Sequence, residues 1–327
     1  LKIKEKKILK VKKVLLDDIK NVLIVGAGTM GHGIAQVYAQ NGYDVSLVDI
    51  DDTILSHAMK LIDMNLNILA DFKRVDRNKI DVIKNRITLS TDLKSSAEKA
   101  DVVVEAIKEV PERKFEVFKK FSQHCRKETI LASNTSSLDI FKTLKTIRHP
   151  ERFIAHHWFC PPYIIPSVEI CPDRKTSQET IELSIKLHEN LGKIPIVMKK
   201  FSPNYIVNKI QNAISGAMYE LMMRNLATAK QIDLAIKTTL GIRLPIVGIV
   251  QMHDFTGLDL VEDIISAKGG NVPLISEKVK RGDLGAKTGK GHYNYNNRTE
   301  LDILRERDIL YLKQLEFLEK NTKFRPI

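Results

Sequence analysis

The apolar run Val22-Leu23-Ile24-Val25 leads straight into Gly26-Ala27-Gly28-Thr29-Met30-Gly31-His32-Gly33, and a helix-like segment follows from Ile34 to Gln40. No other stretch constrains the fold as strongly. In G-x-G-x-x-G between a strand and a helix, the first glycine permits a tight turn. The second lets the backbone close on a pyrophosphate, and the third lets helix and strand pack closely. The helix N-terminus then faces the phosphates. The next apolar run, Val45-Ser46-Leu47-Val48, ends in Asp49, an acid about 20 residues into the unit as the fingerprint requires. Gly26, Gly28, Thr29, Met30, Gly31 and Asp49 are therefore expected to bind a dinucleotide. A carboxylate at Asp49 suits ribose hydroxyls and repels a 2′-phosphate, and no Arg follows it in Ile50-Asp51-Asp52, which favours NAD over NADP.

Further apolar runs alternate with helical patterns: Ile87–Leu89, Asp101–Ala106, Ile130–Ser133, Arg152–Ala155, Val168–Ile170 and Pro195–Met198, with a helix expected from Thr53 to Ala70. Such alternation predicts an α/β, Rossmann-like, mainly parallel sheet over 21–200. Ser202-Pro203 reads as a helix cap followed by Pro at the first helical position, opening a helix that runs to Lys230. Asp233–Leu240, Phe255–Ser266 and Leu274–Arg281 read as further helices, so 201–296 is expected to be an all-helical domain, for which the family resemblance given below implies substrate binding and dimerisation. A charge-rich C-terminal helix follows in 297–327, with Leu304, Tyr311, Leu315 and Leu318 at helical spacing for packing against the body or another subunit.

The chain has 327 residues and a formal net charge of +12. Residues 1–20 form a basic arm, eight Lys against Glu5, Asp17 and Asp18, within which 11–16 suits an edge strand or a helix turn. The acids and the lack of Arg and Ser argue against a transit peptide. No nucleic-acid motif accompanies the charge, and no apolar run approaches bilayer length. A soluble protein with neither nucleic-acid nor membrane partners is expected. Cys125, Cys160 and Cys171 have no disulfide-like or metal-like spacing, which fits a reducing cytoplasm and no metal.

Two clusters could carry chemistry. Ser133-Asn134-Thr135-Ser136-Ser137-Leu138 follows a strand, where small polar residues either face the ligand crevice or cap a helix. His156 and His157 end one strand, and Glu169 lies on the next element. A His–carboxylate pair suits the oxidation of an alcohol, because the hydroxyl proton must leave with the hydride and an imidazole is suited to accept it. The sequence pattern alone does not choose between the two histidines.

The chain resembles the L-3-hydroxyacyl-CoA dehydrogenase family over roughly residues 20 to 296. The resemblance rests on G-A-G-T-M-G-H-G-I-A at 26–35, V-E-A-I-K-E at 104–109 and A-S-N-T-S-S-L at 132–138. It continues in H-W-F-C-P-P at 157–162 with V-E-I at 168–170, P-N-Y-I-V-N-K at 203–209 and G-A-K-T-G-K-G-H-Y at 285–293. It implies His157 as catalytic base, Glu169 as its carboxylate partner, and Ser136 and Asn208 near the reacting groups. It places Glu109, Lys114, Ser136 and Cys160 on the cofactor side. The implied reaction is NAD-dependent oxidation of a short (S)-3-hydroxyacyl-CoA by a homodimer joined through the helical domain. Cys160 stands where the family usually has Asn, and Pro203-Asn204-Tyr205 where it reads P-G-F. The CoA contacts are poorly matched, with Asn65 in place of a Ser and Phe72-Lys73 near an expected Lys. P-P-Y-I-I-P-S-V-E, with Gly241-Ile242-Arg243 and Gly248, also resembles the lambda-crystallin, L-gulonate 3-dehydrogenase and carnitine dehydrogenase branch, in which Arg243 would bind a free carboxylate. A non-catalytic NAD-binding protein is the third reading, and retention of the His–Glu pair argues against it.

Overall fold

Residues 15–325 are described in a computed structural model. Most of the basic arm, with most of the expected 11–16 element, lies outside the described residues. Leu16–Asp18 forms a single 3-10 turn. The strands and helices then alternate as β1 (Asn21–Val25), α1 (Gly31–Gln40), β2 (Asp44–Val48), α2 (Asp52–Asp71), α3 (Ile80–Asn85), β3 (Ile87–Ser90), α4 (Leu93–Lys99) and β4 (Val102–Glu105). They continue through α5 (Pro111–His124), β5 (Ile130–Ser133), β6 (Phe153–Trp158), β7 (Ser167–Pro172), α6 (Gln178–Asn190) and β8 (Ile194–Val197).

The eight strands form one sheet in the order β3-β2-β1-β4-β5-β6-β7-β8. Pairing is parallel from β3 through β6, antiparallel between β6 and β7, and parallel again between β7 and β8. The fold is thus Rossmann-like, doubly wound about β1 and β4. Val22 to Val25 and all of β4 and β5 are buried, which is why those strands read as unbroken apolar runs rather than alternating ones. Strand order reverses beside β1, so the crevice at the carboxyl ends of β1 and β4 is where a ligand is held in such sheets.

The described residues fall into two compact units, divided between Asn212 and Ala213 inside α7 (Val207–Met223). The second unit holds α8 (Ala229–Thr238), α9 (Leu240–Thr256), α10 (Leu258–Ala267), α11 (Pro273–Lys280) and α12 (Glu300–Asn321). It contains no strand longer than isolated bridges among the described residues. The helix expected to start at Ser202-Pro203 begins only at Val207 and stops at Met223. Asn204 and Tyr205 hold φ of 66° and 49°, which no helix accepts, and Asn225 at 54° ends the run. A new helix then starts at a capping box between Thr228 and Gln231. Helix α9 was not foreseen because Pro245 and Gly248 break its pattern, and Gly248, at φ 65°, marks a real kink. The Leu304, Tyr311, Leu315 and Leu318 stripe is half-buried.

The Gly285–Tyr293 segment folds around Asp254 of α9, which is 1% exposed. Its Oδ1 accepts the His292 N–H at 2.8 Å, and its Oδ2 accepts the Tyr293 N–H at 2.9 Å and the Tyr295 hydroxyl at 3.1 Å. A Cβ at Gly291 would lie 2.4 Å from Asp254 Oδ1. The glycines of this signature make room for a buried carboxylate that sequence reading did not single out.

Candidate active site

At the carboxyl end of β1 the chain turns at Gly26, whose φ of 101° suits glycine. A Cβ there would lie 2.6 Å from the Ala106 carbonyl oxygen, and one at Gly31 would lie 1.6 Å from the Gly26 carbonyl oxygen. Both glycines are therefore fixed by the protein's own packing. Gly28 differs: nothing lies within 4 Å of its missing Cβ, so this part of the backbone is open to a ligand. Thr29 and Met30 follow, and no side chain caps the start of α1. Asp49, at the end of β2, accepts the Ala27 N–H at 2.7 Å on one oxygen and the Ile50 N–H at 2.7 Å on the other, which ties it to the glycine loop. An open glycine backbone, an uncapped helix N-terminus and a neighbouring acid fit the pyrophosphate and ribose of NAD.

The second group lies at the ends of β5, β6 and β7. Antiparallel pairing sets His157 directly opposite Glu169, so their side chains share a face. His157 Nδ1 is 2.7 Å from Glu169 Oε2, and His157 Nε2 is 3.2 Å from Ser136 Oγ. Glu169 Oε1 accepts the N–H groups of Ile206 and Val207, each at 3.0 Å. A carboxylate from β7 thus caps the start of α7, the role sequence reading gave to Ser202. Glu169 takes Nδ1–H, which assigns the tautomer and leaves the Nε2 lone pair facing Ser136. Both residues are buried, Glu169 completely. Asn134 fixes the strand from the other side, its Oδ1 accepting the Trp158 N–H at 2.8 Å.

The loop carrying Ser136 is itself held. Glu109 Oε1 accepts the N–H groups of Ser136 at 2.9 Å and Ser137 at 3.2 Å, and it also accepts the Thr135 hydroxyl. Lys114 Nζ lies 3.1 Å from Glu109 and 2.6 Å from Glu105. Glu105 completes the network by accepting the Ser133 hydroxyl at 2.6 Å and the Ile107 N–H at 2.9 Å. Burial alone would raise the Glu109 carboxyl. The Thr135 hydroxyl, the Lys114 ammonium and the Ser137 N–H outweigh it and hold the carboxyl below its ordinary value. Glu105 is fully buried and was not singled out, although it ends a continuous apolar strand and stands second in V-E-A-I-K-E.

The other expected residues lie outside the hydrogen bonds described above. His156 points to the opposite face of β6, as strand alternation demands. It is fully buried, its ring 4.5 Å from that of His188. Burial, with His188 adding to it, drives its basicity well below the ordinary value, so it is a core residue. Asn208 is half-buried on the first turn of α7, just after the N–H groups that meet Glu169. Cys160 is exposed in the loop after β6. Asn65, expected at the substrate, is instead 1% exposed, its amide donating to Gln36 at 3.1 Å in the packing of α2 on α1. This corrects that expectation: a short amide on the inner face of α2 finds its partner in the protein. Lys73 is exposed just past α2, and Arg243 is half-buried on α9, its charge reaching Tyr311 of α12.

The family profile described as 3-hydroxyacyl-CoA dehydrogenase, NAD binding domain, matches residues 21–201, and that of the C-terminal domain matches 205–295. The chain is 33% identical over 290 residues to a probable 3-hydroxybutyryl-CoA dehydrogenase of Bacillus subtilis, covering 86% of this chain and 99% of that one. It is 28% identical to the 5-formyl-3-hydroxy-2-methylpyridine 4-carboxylate 5-dehydrogenase of Mesorhizobium japonicum, covering 85% of this chain and 91% of that one. The crystal structure of a 3-hydroxyacyl-CoA dehydrogenase from Archaeoglobus fulgidus is similar with a TM-score of 0.76 and 27% identity, covering 91% and 99% of the two chains. With a glycine cradle suited to NAD and a His–carboxylate pair on the same sheet, and with both family profiles matched in order, this chain belongs to the 3-hydroxyacyl-CoA dehydrogenase family of NAD-dependent oxidoreductases.

Proposed function

We propose that the protein oxidises a short-chain (S)-3-hydroxyacyl-CoA, such as 3-hydroxybutyryl-CoA, to the 3-oxoacyl-CoA. The line of Ser136, His157 and Glu169 carries this reading. Nε2 of His157 takes the proton of the 3-hydroxyl as the C3–H bond breaks and the carbonyl forms. Ser136 and Asn208 hold the reacting oxygen, and Glu169 balances the charge gained by the imidazole. NAD, when bound, supplies the acceptor for the hydride from C3. Gly26, Gly28, Thr29, Met30, Gly31 and Asp49 would hold its adenosine and pyrophosphate end, and Glu109, Lys114, Ser136 and Cys160 would serve its nicotinamide side.

A second reading is oxidation of a free hydroxy acid, with Arg243 binding the carboxylate. The Mesorhizobium relative, named for a free pyridine carboxylate, favours it. NADH absorbance separates the two. Turnover of 3-hydroxybutyryl-CoA, with little or none of L-gulonate or carnitine, is expected. Turnover of free acids alone would overturn the acyl-CoA reading, and NAD binding without any turnover would overturn both.

We also infer a homodimer through the helical unit. Ile214, Tyr219, Leu221, Met222 and Met223 of α7 are exposed, Met223 to 80%, and no residue of α7 is buried. Leu234 and Ile236 of α8 extend the apolar surface. Covering such a surface removes it from water. Sedimentation is expected to give twice the chain mass, and a Met222→Glu/Met223→Glu variant is expected to shift toward the monomer. A wild-type monomer at micromolar concentration would sink the inference. The free thiols of Cys125, Cys160 and Cys171 support a reducing compartment, the cytoplasm by our reading, which cell fractionation checks.

A further inference from the structure

The ring of Tyr205 lies nearly flat on the His157 imidazole, with centroids 4.9 Å apart and planes 20° from parallel. Phe159 meets the same imidazole edge-on at 4.7 Å. Tyr205 is 1% exposed. It is backed by Phe201 at 5.9 Å, and Phe201 in turn by Phe141 at 5.6 Å, so the stacked ring has little room to move. Its backbone is in the left-handed region, φ 49°, directly after Asn204 at 66°. Side chains with a Cβ avoid that region unless the surroundings impose it. The next two N–H groups, of Ile206 and Val207, go to Glu169. One strained turn therefore delivers an aromatic face to the imidazole and two donors to its carboxylate partner. The Tyr205 hydroxyl has no hydrogen-bond partner among the described residues, so the ring alone makes the contact.

We propose that Tyr205 is a positioning residue for His157, fixing the imidazole plane between Glu169 and Ser136 and meeting, with its π face, the positive charge the imidazole gains on taking the alcohol proton. The inference rests on the reading of His157 as the base. An aromatic face within about 6 Å of a cation attracts it, and this face is in place before the charge develops. Such a contact stabilises the state reached during proton transfer more than the bound ground state, so its loss falls on kcat rather than KM.

The test compares Tyr205→Phe, which keeps the ring and drops the hydroxyl, with Tyr205→Met, which removes the ring but fills much of the space. Tyr205→Leu is the second ring-free variant should the Met protein fold poorly. Turnover of 3-hydroxybutyryl-CoA and the ring-proton resonances of His157, assigned by their loss in His157→Gln, are both read. The ring-free variants are expected to lose about tenfold in kcat with KM nearly unchanged. Their His157 resonances should leave the ring-current field of Tyr205, and Tyr205→Phe should restore both readouts. Equal loss in the Phe and Met proteins, or no change of either readout in the ring-free ones, would overturn the proposal. Absence of turnover in the wild-type protein would remove the function instead, while the resonances still decide whether the stack exists.

Discussion

His157→Gln is expected to lower kcat by about 10²- to 10⁴-fold, the range contributed by a positioned general base, while NAD affinity stays close to that of the wild-type protein. Gln separates chemistry from folding better than Ala does. Its amide N–H can still donate to the fully buried Glu169 carboxylate, which would otherwise lose its partner at 2.7 Å. What Gln lacks is a basic nitrogen facing Ser136. The glycine loop and Asp49 belong to β1 and β2, away from β6 in the sheet order, so the adenosine side should not register the change. Stopped-flow hydride transfer and NAD titration by fluorescence give the two readouts. His156→Gln is the control: it lies on the other face of the same strand and should lower thermal stability rather than kcat. Full activity in His157→Gln with loss in His156→Gln would reverse the assignment of the two histidines.

How much of this was legible in the sequence depended on whether the deciding interaction was local. The glycine turn was, because Gly26 answers to a backbone angle and Gly31 to a neighbour a few residues away. The buried strands were, because burial on both faces leaves an unbroken apolar run. Choosing between His156 and His157 from the pattern alone was not possible. The choice depends on which face of β6 meets Glu169, and that is set by antiparallel register with β7, a contact across 12 residues and a loop. The start of α7 failed for the same reason: Ser202-Pro203 is a sound local cap, but the N–H groups of that helix are taken by a carboxylate from another strand. Asn65 shows the converse error. Its helix was legible, but a position within a helix does not say which partner the side chain will meet. Asp254 and Glu105 escaped because a lone acid in an apolar stretch looks like an irregularity until its donors are known.

Lys114→Met is expected to destabilise the protein by about 3–5 kcal/mol, the usual consequence of stripping one partner from a buried ion pair. Lys114 is 1% exposed and Glu105 not exposed at all, so no water replaces the ammonium. The hydroxyl of Ser133 and the N–H of Ile107 remain on Glu105, but neither carries a charge to balance the carboxylate. Glu105→Gln should cost less, because Lys114 keeps Glu109 at 3.1 Å. The double variant Glu105→Gln/Lys114→Met should recover part of the loss, since the amide needs no counter-charge and can still accept from Ser133. Urea unfolding of the four proteins closes this cycle, and a coupling of at least about 1 kcal/mol is expected for groups in one network. Arg77→Met supplies the scale: that residue pairs with Asp71 at 2.5 Å, but both are more than half exposed, so its loss should stay below about 1 kcal/mol. If Lys114→Met cost no more than Arg77→Met, the buried network would not be what holds β4, α5 and the Ser136 loop together. The same variant also removes the cation beside Glu109, which grips the backbone of Ser136 and Ser137. A fall in kcat beyond the loss of folded protein is therefore expected, because a loosened Ser136 loop no longer holds its hydroxyl opposite Nε2 of His157.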